Sequence, residues 1–108
     1  MRRNYTAIVE RNVAVTEKIT SEPYECGWAS EIIIFVRLLD GDLGGETASV
    51  QISPDGMNWC DEGSIINLPG EGETTFVKVR EFGNWLRIHG EIAPGKYAKI
   101  LVTLQLKE

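Results

Sequence analysis

The chain has 108 residues, 43% of them hydrophobic and 25% charged, with a formal net charge of −5. That length holds one domain with a real core, residues 1–108, and the composition is that of a folded chain. It excludes a helical membrane span, because no segment approaches the ~20 consecutive apolar residues one requires. Met1-Arg2-Arg3 is followed by no apolar run, so no secretory signal is expected.

The charge is unevenly placed. Asp40, Asp42, Glu46, Asp55, Asp61, Glu62, Glu71 and Glu73 occupy a stretch, 40–75, that contains no Lys or Arg. Beyond it, Lys78, Arg80, Arg87, Lys96, Lys99 and Lys107 outnumber Glu81, Glu91 and Glu108. An acidic middle repels phosphate, so nucleic acid is not an expected partner. It leaves either a solvated surface or a two-signed one suited to head-to-tail contact between copies.

In chain order, apolar alternation with period two predicts strands throughout. Tyr5–Val9 and Val13–Ile19 read as two weak strands, and residues 1–12, with Arg2, Arg3 and Tyr5, as an arm able to reach a neighbour. Glu31–Leu39 is apolar apart from Arg37, which predicts a central strand covered on both faces. Asp40-Gly41-Asp42-Leu43-Gly44-Gly45 is a glycine-rich loop. Thr47–Ile52 alternates Ala48, Val50 and Ile52 against Ser49 and Gln51, and Ser53-Pro54-Asp55-Gly56 is a proline-initiated turn. Ser64–Leu68 adds a short strand. Thr74–Arg80 turns inward either Val77 and Val79 or Phe76. Trp85–His89 places Leu86 and Ile88 on one face. The last strand is the clearest: Ala98, Ile100, Val102, Leu104 and Leu106 face one way, and Lys99, Thr103, Gln105 and Lys107 the other. The fold class is therefore all-β, an antiparallel, jelly-roll-like sandwich of about 7–8 strands.

Few residues suggest reaction chemistry. His89 is the single histidine, within a regular strand and far from any nucleophile motif. Asp61 and Glu62 are adjacent, so in an extended chain they point apart. No enzymatic activity and no cofactor are expected. Cys26 and Cys60 lack metal-ligand spacing and read as small buried hydrophobes that stay unpaired in a reducing compartment. Asp40, Asp42 and Glu46 could offer oxygen ligands to calcium, but Gly44 and Gln51 stand where an EF-hand needs ligands, and a solvated turn is the simpler reading. Trp28, Trp59 and Trp85, with Asn58 and Arg87 as polar partners, form the candidate binding set: an aromatic platform for sugar rings, or closures of the sandwich rim.

The segment Ala48-Ser49-Val50-Gln51-Ile52-Ser53-Pro54-Asp55-Gly56-Met57-Asn58-Trp59 resembles the strand–turn–Trp hairpin of discoidin-like (coagulation factor 5/8 C-type) sandwiches. Trp85-Leu86-Arg87-Ile88-His89 is similar to their aromatic-x-Arg-Ile strand. That resemblance implies carbohydrate binding. The same hairpin, followed by Phe82-Gly83-Asn84-Trp85-Leu86-Arg87, also resembles small β-sandwich structural proteins of tailed phages and prophages. This second resemblance implies a non-enzymatic decoration or connector subunit, virion-associated or cytoplasmic, that contacts itself or a larger shell. The contact would set the acidic loops 40–46 and 71–73 against a face bearing Lys78, Arg80, Lys96 and Lys99.

Overall fold

In the computed structural model, which describes residues 4–108, nine strands carry the fold and no described residue is helical. They are β1 (Asn4–Thr16), β2 (Lys18–Thr20), β3 (Tyr24–Glu25), β4 (Glu31–Gly41) and β5 (Thr47–Ser53), then β6 (Cys60–Asn67), β7 (Thr74–Arg80), β8 (Trp85–Glu91) and β9 (Tyr97–Lys107). Sheet I has the order β1-β9-β4-β7, and sheet II the order β2-β8-β5-β6, with β3 also on β8. Every pairing is antiparallel. Taken together, β2 and β3 are two pieces of one edge strand. The result is an eight-strand, two-sheet jelly roll. Only β5 and β6 form a hairpin between full strands of one sheet; the other turns carry the chain across the ~10 Å between sheets.

The core follows from the alternation. Ile32, Ile34, Val36 and Leu38 from β4 meet Ala98, Ile100, Val102, Leu104 and Leu106 from β9. Facing them from sheet II are Ala48, Val50, Leu86, Ile88 and Ile66, all buried. Each such side chain contributes ~1.5–3 kcal/mol by leaving water, so this interdigitated layer is the main source of stability. On β7 the open choice resolves with Val79 buried and Val77 partly so, while Phe76, Lys78 and Arg80 face solvent. Leu43, in the β4–β5 loop, Leu68, after β6, and Ile92, after β8, plug one end. All four prolines lie outside strands.

Several expectations need correction. The two weak strands at the start are one 13-residue edge strand with register shifts between Ile8 and Glu10 and between Glu10 and Val13. Asn12, at φ 53, absorbs one irregularity, a conformation asparagine tolerates. The chain then turns at Glu17 (φ 65) into sheet II. Residues 4–12 are thus paired with β9 and are not a free arm, while residues 1–3 lie outside the described residues. Cys26 is buried, but Cys60, at the exposed start of edge strand β6, is not; both are free thiols. Strand β4 is covered on one face only: Ile33 and Phe35 are half-buried and Leu39, in a bulge opposite β9, is exposed.

Candidate functional site

The turns collect at two ends of the sandwich. At one end lie the β1–β2 corner and the β4–β5, β6–β7 and β8–β9 loops, joined by backbone bonds from Ile92 to the Glu17 carbonyl (2.9 Å) and from Leu68 to the Glu46 carbonyl (3.0 Å). This end is acidic, with Glu17, Asp42, Glu46, Glu71, Glu73 and Glu91 against Lys18 and Lys96. Asp42 is engaged: it accepts the Gly44 N–H at 2.7 Å and pairs with Lys96 Nζ at 3.1 Å. Those contacts, the Gly44 N–H first, hold its carboxyl below the usual range. Asp40 lies opposite Lys99 in the β4–β9 ladder. Asp40, Asp42 and Glu46 do not converge, and no three His, Cys, Asp or Glu side chains among the described residues are grouped to hold a metal. Lys96, bound to Asp42 in a loop, is also removed from the basic face on which sequence reasoning put it.

The other end is aromatic. The 53–58 turn is built around one carboxylate. Asp55 accepts the N–H groups of Met57 and Asn58, both at 2.9 Å, the Asn58 side-chain amide at 2.8 Å and the Ser53 hydroxyl at 2.9 Å. Together they hold the Asp55 carboxyl well below the ordinary carboxylate range, the Asn58 N–H being the largest cause. The Ser53 hydroxyl in turn accepts the Gly56 N–H at 2.8 Å. Gly56 lies against the Trp85 indole, where a Cβ would stand 3.3 Å from the ring. Asn58 is therefore spent on the turn, and Trp85 covers it.

Trp59 and Arg87 do come together. The Arg87 guanidinium lies over the Trp59 ring, 4.3 Å from its centroid. Arg87 Nε donates to Gln51 Oε1 at 2.8 Å, and Gln51 Nε2 donates to Asp61 Oδ1 at 3.1 Å. The four residues form a strip across β8, β5 and β6 on the outer face of sheet II. One pairing over, His89 Nδ1 and Thr20 Oγ1 are 2.7 Å apart. Trp28 is not part of this strip: it meets Tyr5 of β1 edge-on, with centroids 6.1 Å apart and planes at 76°. Sequence reasoning missed Gln51 and Asp61. The outward position of Gln51 was legible, but its partnership with Asp61 depends on a register shift in the β5–β6 ladder.

A second surface is the outer face of sheet I. Ile8, Thr103, Phe35 and Phe76 stand in register across all four strands, and the two phenylalanine rings are 6.1 Å apart. Ile8 is 43% and Phe76 57% exposed, with Ile33 and Leu101 beside them. Lys78, Arg80, Lys99 and Lys107 border this stripe, and Arg80 pairs with Glu31 at 3.0 Å. Glu31, Ile33, Lys78, Arg80, Gln105 and Lys107 line a cleft of about 210 Å³ there. In comparisons with known proteins, no family model matches the chain and no curated protein matches it.

Proposed function

We propose that the chain is a non-catalytic assembly subunit, a decoration or connector component of a phage-like particle, acting through protein–protein contacts with its own copies. The carrying observation is the outer face of sheet I, where an apolar stripe from Ile8 to Phe76 lies uncovered beside Lys78, Arg80, Lys99 and Lys107. A soluble chain does not usually leave large apolar side chains aligned across a whole sheet, and such patches mark contact surfaces. The occupant is the acidic end of a second copy, whose loops 42–46 and 70–73 carry Asp42, Glu46, Glu71 and Glu73. Opposite charges set the partner and the register and their attraction is needed to hold the contact, while burial of the stripe adds to the affinity. Face-to-end contact is heterologous, so copies add head to tail and close into rings or extend as strings. The jelly roll is compatible with this role, since capsid proteins use it, but the fold serves lectins as well, so the argument rests on the surface.

Two charge-reversed variants provide the test. Lys78→Glu with Arg80→Glu reverses the face, and Glu71→Lys with Glu73→Lys reverses the end. Light scattering should find each variant monomeric alone and the equimolar mixture associated, because one variant's face then fits the other's end. A folded wild-type chain that stays monomeric, or variants that assemble like wild type, would overturn the proposal.

A further inference from the structure

We propose that the outer face of sheet II binds a pyranose oligosaccharide on the strip formed by Trp59, Arg87, Gln51 and Asp61. This is a different sheet from the assembly surface, and the inference does not rest on that reading. A sugar ring presents C–H groups from its faces and hydroxyls from its rim, so it needs an aromatic surface beside donors and acceptors at one level. Trp59 supplies the aromatic group: it is partly buried, and the Arg87 guanidinium covers one face of its ring. Arg87 spends Nε on Gln51, leaving the terminal nitrogens of its guanidinium with no described protein acceptor. Asp61 uses one oxygen for Gln51, and its second oxygen accepts no described protein hydrogen bond. Donors and an acceptor therefore flank Gln51 about two strand spacings (~10 Å) apart, where they can meet hydroxyls at opposite ends of a bound sugar.

The strip is also preorganised. Arg87 is fixed twice, by stacking on Trp59 at 4.3 Å and by the 2.8 Å bond to Gln51. Gln51 is fixed at both ends of its amide. Three of the residues sit on paired central and edge strands, which hold them more firmly than loops would. Because β8, β5 and β6 are neighbours at ~4.8 Å spacing, the strip spans ~10 Å, the footprint of one or two sugar rings. Gln51 stands between Arg87 and Asp61, so the strip holds one charge of each sign and favours a neutral ligand over an acidic one.

The test uses the full chain against an array of neutral and acidic pyranose oligosaccharides, followed by titration calorimetry with the strongest hit. Binding should be confined to neutral pyranosides, shield tryptophan from acrylamide, and fall about tenfold or more in Trp59→Ala and in Gln51→Ala. Trp28→Ala, on the far side of the same end, should bind as wild type. Thermal unfolding checks that each variant is folded; if Trp59→Ala is not, the exposed change Asp61→Asn carries the comparison. An array without hits for folded protein, hits only on acidic sugars, or binding that survives loss of the strip would refute the site. The charge-swap experiment above is read independently of this one.

Discussion

Replacing Gly41 by alanine should cost far more than the same change four residues later. Gly41 ends β4 at φ +92, and a Cβ there would lie 2.1 Å from the Tyr97 carbonyl oxygen and 2.8 Å from Ala98 Cα. Both obstacles are backbone of the neighbouring strand, so relief requires β4 to move away from β9. That movement strains the 2.9 Å bond from the Asp42 N–H to the Tyr97 carbonyl, whose net worth is about 1 kcal/mol. It also loosens the loop that buries Leu43, a side chain worth ~1.5–3 kcal/mol. Adding ~1–2 kcal/mol for a left-handed alanine brings the total to about 3.5–6 kcal/mol. Gly45 is the control: its φ is +71, yet nothing lies within 4 Å of the added Cβ. It should lose only the conformational part, about 1–2 kcal/mol. In thermal unfolding followed by circular dichroism, Gly41→Ala should drop Tm by roughly 15–30 °C and Gly45→Ala by roughly 5–15 °C. Equal losses would refute the close approach of β4 and β9 at this point.

Further outcomes follow from the same geometry. Ile34→Ala, at a fully buried site in the centre of β4, should lower the unfolding free energy by about 2–5 kcal/mol in urea titration, whereas Phe76→Ala on the exposed face should change monomer stability by less than ~0.5 kcal/mol. Asp55 and Asp42 have folded-state carboxyls held below the unfolded value near 3.9, so their contribution is present above that pH and is lost as pH falls towards their folded values. Tm should therefore be nearly level from neutral pH to about pH 5 and fall below about pH 4, with a shallower fall in Asp55→Asn. Burial, aided by the Glu25 charge, pushes the Cys26 thiol up to about 12, so alkylation at neutral pH should label Cys60 alone in the native protein and both thiols in denaturant. Equal labelling rates in native protein would contradict the burial of Cys26.

The inner faces of the sandwich were legible where alternation is clean, because it is local: Ala98 to Leu106 announces its buried side without knowledge of the partner strand. What was not legible depends on pairing between distant segments. The register shifts that join Tyr5–Val9 to Val13–Thr16 into one strand come from matching β9, some ninety residues on. The apolar outer positions Ile33 and Phe35 suggest a second covering layer, but nine strands are already used in two sheets, and that face is left open. The tryptophans share one end of the molecule yet split into Trp59 with Arg87 and Trp28 with Tyr5, a division that follows the sheet each loop enters, sheet II at β6 and sheet I at β4. Asn58 looked like a ligand group by residue type. Its amide is consumed 2.8 Å away by Asp55.

The claim that the outer face of sheet I binds the acidic end of another copy is tested most directly by sedimentation velocity over a range of protein concentrations. Measured at about 0.01 M and about 1 M salt, where the Debye length is ~30 Å and ~3 Å, wild type should form concentration-dependent oligomers in the first condition and largely dissociate in the second. A single monomeric species, unchanged by concentration in either condition, would contradict it.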